Sequence, residues 1–97
     1  MMYEHIMRVG MTINDKNRGC IIVGGVDPAF SSNNTKIPNI IDGYIMVKTT
    51  TEELKFKVKK IDLSTSITGN LSIGINIYDS DDFIKIKSGD EVLLVKD

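Results

Sequence analysis

Few side chains in this chain can do nucleophilic or metal chemistry: Cys20 is the only cysteine and His5 the only histidine. A reactive thiol needs a neighbouring base and partial exposure, and only His5 is of a type to serve as that base. Cys20 follows Gly19 and leads Ile21-Ile22-Val23, a run that reads as a strand, so a buried and inert thiol is the preferred reading. One cysteine and one histidine make neither an internal disulfide nor a closed zinc site. Asp79, Asp81 and Asp82, beside Tyr78, form the only acidic cluster. It is similar to the start of a calcium loop, but the glycine and bidentate glutamate of an EF-hand are missing, and an exposed turn is the better reading. Gly19 and Gly24 have the spacing of a phosphate-binding loop, yet Gly25-Val26 stand where Lys and Ser or Thr are required. These absences lead to the expectation of a non-enzyme with no cofactor, metal or nucleotide.

Positive charge is the remaining chemistry. In Leu54-Lys55-Phe56-Lys57-Val58-Lys59 the apolar residues face one way and the lysines the other. Such a stripe can meet phosphates, and it can equally guard a strand against edge-to-edge pairing. The alternation then slips at Lys60, with Ile61 and Leu63 resuming on a shifted phase, which is the effect of a β-bulge. Lys55, Lys57, Lys59 and Lys60, with Arg18, are the candidate nucleic-acid contacts.

Composition bounds what such contacts can be. The 97 residues carry 12 Lys and Arg against 13 Asp and Glu, a net charge of −1. Nonspecific nucleic-acid binding rests on phosphate neutralisation, so a balanced chain can bind only through a local patch. The length is that of one domain, spanning residues 1–97. A chain this size buries about 65% of the surface its unfolded form exposes. Ile and Val dominate the apolar set, and their stiff branched side chains favour strands. The amino terminus carries charge where a signal peptide needs apolar residues. No apolar run is long enough to span a bilayer as a helix. The expected location is the cytoplasm, away from membranes. The sequons Asn33-Asn34-Thr35 and Asn70-Leu71-Ser72 then read as chance matches.

The stripe must be carried by strands. Met7, Val9, Met11 and Ile13 share an apolar side across residues 6–13, the period-2 pattern of a half-buried strand. Asn14-Asp15-Lys16-Asn17 reads as a turn, and Arg18 to Val26 as a strand whose Gly24-Gly25 pair marks a bulge, a bend or a close backbone approach. Asp27 to Asp42, with both prolines, is a long irregular loop that is either functional or mobile. Gly43 to Val47 is a strand, and Thr49 to Glu53 is the turn of a hairpin into the lysine strand. Ser64 to Asn70 is turn-like, and Leu71 to Ile77 alternates strictly. Phe83 to Ile86 reads as either a short strand or a helical turn, and Glu91 to Lys96 closes the chain as a strand. No apolar pattern of helical period persists for three turns, so no long helix is expected. The resulting class is all-β: a small antiparallel barrel of six or seven strands, closed or nearly closed. Its expected core is Val9, Met11, Ile21, Val23, Ile45, Val47, Leu54, Phe56, Val58, Ile61, Ile73, Ile75, Val92 and Leu94. Alternation alone leaves open which pair of residues 92–95 faces inward.

Read in order, these pieces resemble the second domain of translational GTPases, the β-barrel that follows the GTP-binding domain in elongation factor Tu and its relatives. Met11-Thr12-Ile13 precedes a turn, and Arg18-Gly19-Cys20-Ile21-Ile22-Val23-Gly24-Gly25-Val26 is similar to the family's Arg-Gly-x-apolar-apolar-x-Gly-x-Val segment. Asp42-Gly43-Tyr44-Ile45-Met46-Val47 and Phe56-Lys57-Val58-Lys59-Lys60-Ile61-Asp62-Leu63 resemble its next strand and its lysine-rich, bulged strand. Leu71 to Ile77 and Ile86-Lys87-Ser88-Gly89-Asp90 resemble the last two elements, so the likeness runs over residues 7–95. It implies a non-catalytic binding module that contacts RNA or a ribonucleoprotein such as the ribosome. The lysines make the phosphate contacts in that reading, and Arg18 adds one. Tyr78-Asp79 stand where tRNA-binding members carry an arginine-glycine pair, which argues against acceptor-end binding. The GTPase domain itself is absent from the sequence. The alternative reading is a protein-interaction or self-assembling structural module that uses a strand edge or the Asp27–Asp42 loop.

Overall fold

A computed structural model describes residues 2–27, 40–65 and 69–96. Most of the Asp27–Asp42 loop, the first sequon and the middle of the Ser64–Asn70 turn lie outside the described residues. Seven strands form: β1 (Met2–Arg8), β2 (Met11–Asp15), β3 (Gly19–Gly25), β4 (Tyr44–Lys48), β5 (Glu53–Thr65), β6 (Leu71–Ile77) and β7 (Glu91–Lys96). They make one antiparallel sheet in the order β1-β7-β4-β5-β6-β3-β2. The helical structure between β6 and β7 is a short 3-10 turn, Asp81–Lys85, capped by the Ser80 hydroxyl, which accepts from the Asp82 N–H at 3.2 Å. That resolves the ambiguity over Phe83 to Ile86, and it buries Phe83 and Ile86.

The long strand β5 organises the sheet. Its residues from Glu53 to Lys57 pair with β4, and those from Val58 to Thr65 pair with β6. At the changeover the register shifts between Val58 and Lys60, leaving Lys59 as the extra residue of a bulge. A bulge bends its strand and sharpens the local twist, so β5 turns from one half of the sheet into the other. Leu54, Phe56 and Val58 are buried before the bulge, and Ile61 packs against the same core beyond it.

The bend brings the ends of the sheet towards each other without a continuous ladder between them. Met7 and Val26 form an isolated antiparallel bridge. The Gly10 N–H donates to the Val23 carbonyl at 2.8 Å, and the Asp27 N–H to the Ile6 carbonyl at 2.7 Å. Gly24 is where these backbones meet: a Cβ there would stand 2.3 Å from the Arg8 carbonyl oxygen. Of the three meanings open to the glycine pair, Gly24 has the close backbone approach.

The core lies inside this curve, with Ile6, Met7, Ile22, Ile40, Ile45, Val47, Val58, Ile73, Ile75, Ile77 and Val92 fully buried. Each such side chain contributes about 1.5–3 kcal/mol relative to leaving it in water. Three expectations are corrected. Residues 6–13 are not one strand: the chain breaks at Val9-Gly10, where Val9 is tied to the turn before β7 by bonds of 2.8 Å to Asp90 and 2.7 Å from Gly89. Met11, past that break, is 54% exposed. In β3 the core set is Cys20 and Ile22, whereas Val23 is only partly buried and Ile21 lies outside the main cluster. Three successive apolar residues fit either phase of a strand. Val92 and Leu94 are the inward pair of β7, as expected.

Candidate nucleic-acid interface

Alternation along β5 fixes where the lysines stand. Lys55, Lys57 and Lys59 are exposed on the face opposite Leu54, Phe56 and Val58. The bulge leaves Lys60 exposed as well, so two successive lysines stand on the outer surface at the bend. Among the described residues none of the four forms an ion pair. Several cations elsewhere do pair: Arg8 with Glu91 at 3.5 Å, Lys48 with Glu53 at 3.8 Å, and Lys85 with Asp82 and Glu52 at 3.0 and 3.6 Å. Asp82, then Glu52, hold the Lys85 ammonium above its ordinary pKa.

Two tyrosines lie among the lysines. Tyr44 on β4 is in register with Lys57, and the Tyr78 N–H, just past β6, donates to the Lys57 carbonyl at 3.1 Å. The Lys55 ammonium sits 4.6 Å from the Tyr44 ring centre, and those of Lys57 and Lys59 sit 5.7 and 5.9 Å from the Tyr78 ring. These are cation–π distances, worth about 0.5–1 kcal/mol each at exposed sites. Tyr44 and Tyr78 remain 44% and 45% exposed. Neither was singled out as a contact from the sequence. Tyr44 does show an outward phase, preceding buried Ile45 by one residue, but only the strand register brings it beside a lysine.

Arg18 stands apart from this row. At the tip of the β2–β3 hairpin its guanidinium is 3.3 Å from Asp15. The Asn17 N–H, foremost, and then the Arg18 charge hold the Asp15 carboxyl below its ordinary value. The Arg18 carbonyl accepts from the Asn76 side chain at 2.7 Å, and Asn76 is the register partner of Lys60. The structure therefore places Arg18 near the bulged end of the stripe, with its charge already engaged.

The other candidate groups are not assembled. Cys20 is buried at the start of β3, and burial, followed by the charge of Asp79, pushes its thiol pKa up. His5 lies near the opposite end of β3, its Nδ1 2.7 Å from Asp27. The six residue steps from Cys20 to Val26 span about 20 Å of strand, too far for a thiol–imidazole pair. Gly19 and Gly24 belong to one strand and form no phosphate loop. Among the described residues no cluster of three metal-binding side chains occurs. A polar cleft between the β4–β5 hairpin and the 3-10 turn is lined by Thr49, Thr51, Lys85, Lys87 and Ser88, with Lys85 ion-paired to Glu52 and Asp82. No helix of the described residues is long and apolar enough to cross a membrane.

Comparisons with protein families, with curated proteins and with solved structures find no match.

Proposed function

We propose that this chain is a non-catalytic, cytoplasmic binding module that contacts RNA or a ribonucleoprotein through the outer face of β5. The observation that carries the reading is the set of four exposed lysines free of carboxylate partners among the described residues, beside two half-exposed tyrosines. Because these four lysines are gathered within six residues of one strand, a chain of net charge −1 still presents a local positive strip. The ordered likeness to the second domain of translational GTPases supports the same assignment. So does a nearly closed barrel, the reading of the fold favoured by the β1–β3 approach. No nucleotide or other cofactor takes part. Lys55, Lys57, Lys59 and Lys60 contact phosphates, and Arg18 contributes only by exchanging Asp15 for one.

The test is a pull-down from lysate at low and high salt, with wild type beside a Lys55/Lys57/Lys59→Glu variant of unchanged circular dichroism. Wild type recovers RNA or ribosomal material that salt and the variant both abolish. Recovery of the same salt-resistant protein by both forms rejects this reading in favour of a protein-interaction module. One observation favours that second reading: among the described residues β2 pairs only with β3, and its segment Met11–Asp15 has neither Lys nor Pro to guard that edge.

A further inference from the structure

The lysine strip and the tyrosines form one pattern, and the pattern selects a kind of RNA. By register, Tyr44, Lys57 and Tyr78 make a row across β4, β5 and the end of β6, with Lys55 and Lys59 on either side of Lys57 along β5. Neighbouring strands lie about 4.8 Å apart, so the two tyrosine backbones stand roughly 10 Å apart on the same outer surface. We propose that this row binds single-stranded RNA, with bases stacking on Tyr44 and Tyr78 while Lys55, Lys57 and Lys59 hold the intervening phosphates. The proposal rests on the reading of the β5 face as an RNA site and names which RNA it takes.

The chemistry follows from what each group can meet. A duplex keeps its base faces stacked inside and offers a protein phosphates, sugars and base edges. An exposed ring in the middle of a cationic strip gains little from it. A single strand offers base faces, and stacking on an aromatic ring tolerates any base because each has a π-face. The lysine ammoniums over the rings fit an exchange between two partners. Without RNA they rest on the tyrosine faces at 4.6, 5.7 and 5.9 Å, which holds the long side chains beside the rings. When a phosphate takes an ammonium, the ring face is freed for a base. Asp62 beyond the bulge and Asp79 beside Tyr78 place negative charge at one end of the strip, and the Lys48–Glu53 pair closes the other.

The chain has no tryptophan and three tyrosines, Tyr3 being the third. Its intrinsic emission therefore reports stacking directly. The full chain is titrated with a short oligouridylate and with an RNA duplex of the same length. Wild type binds the single strand at least about tenfold more tightly than the duplex, and its tyrosine emission is quenched. Tyr44→Leu and Tyr78→Leu each weaken single-strand binding by roughly 5- to 100-fold while leaving its salt slope unchanged. Tyr44→Phe and Tyr78→Phe, which keep the ring, retain the affinity and guard against a folding defect in the leucine variants. Binding that depends on salt and lysines, but is equal for both RNAs and indifferent to Tyr→Leu, overturns the stacking proposal and leaves the RNA face standing. Absence of salt-sensitive binding to either RNA overturns both.

Discussion

The sheet contains two bulges of similar construction that serve opposite faces. In β1 the register shifts between His5 and Met7, and the doubled residues Ile6 and Met7 are both fully buried. In β5 it shifts between Val58 and Lys60, and the doubled residues Lys59 and Lys60 are both exposed. A bulge sets two residues against one on the partner strand, so either face can receive an extra side chain. Turned inward, the extra chain fills core volume beside the place where β1 approaches β3. Turned outward, it adds charge at the bend of the sheet. One device thus thickens the core and concentrates the cationic strip.

This contrast is open to test. Single-residue deletions measure it most directly, because removing the extra residue restores a regular ladder without changing the phase on either side. Deleting Ile6 removes a buried side chain and is expected to cost about 4 kcal/mol, read from the urea midpoint. Deleting Lys59 removes an exposed side chain together with the bulge that bends β5, and is expected to cost less than the Ile6 deletion, which empties core volume, while weakening any RNA binding. Equal losses for the two deletions would break the comparison, since they would assign the outward bulge a structural role of the same size.

The next effect belongs to the approach of the sheet ends beside the inward bulge. Gly24→Ala drives a Cβ towards the Arg8 carbonyl, which backbone alone can relieve. A loss of about 3 kcal/mol is expected. Gly25→Ala, with open space around its Cβ, is its control and stays within about 1 kcal/mol. Thermal unfolding of the two variants separates close packing from glycine content.

The smallest effect is a pH dependence. The Cys20 thiol has its pKa raised from 9.0 by burial first and by Asp79 second. Below that value the thiol is neutral in both folded and unfolded chains and contributes no slope. As pH rises above it, the unfolded thiol ionises before the folded one, so stability falls. The alkaline slope of wild type is therefore steeper than that of Cys20→Ala in paired denaturant titrations. Identical slopes would mean that the thiol reaches solvent.

Much of the lysine face was legible along the chain. The Leu54 to Lys59 alternation assigned both faces of β5, and the misplaced Lys60 revealed the bulge, because a period of two leaves no other place for an extra residue. Thr49 to Glu53 announced the hairpin, although Glu53 already belongs to β5, and the structure shows why: the Thr49 hydroxyl accepts from the Thr51 and Glu52 N–H groups at 3.3 and 3.0 Å. The β1 bulge was hidden because Met7, Val9, Met11 and Ile13 fit a plain alternation, which set Ile6 on the opposite side with Arg8. The phase of β3 was hidden because Ile21, Ile22 and Val23 are all apolar. Phe83 and Ile86 join the core from a segment too short to tell a strand from a helical turn, and Ile40 from the end of the irregular loop, so no pattern marked them.

By itself, the sequence determined an all-β chain, the outward phase of its lysines, and the lack of any second cysteine or histidine for catalysis or zinc. Those are properties of residue type and of spacing within one strand, where neighbours are fixed by covalent geometry. The tertiary structure alone decided that Tyr44 and Tyr78 flank Lys57, that Asp15 engages Arg18 across a hairpin turn, and that Cys20 and His5 lie near opposite ends of β3. Those depend on pairing register and on the bend of β5. Both are set by how the buried faces pack, a balance of contacts between residues far apart in the chain.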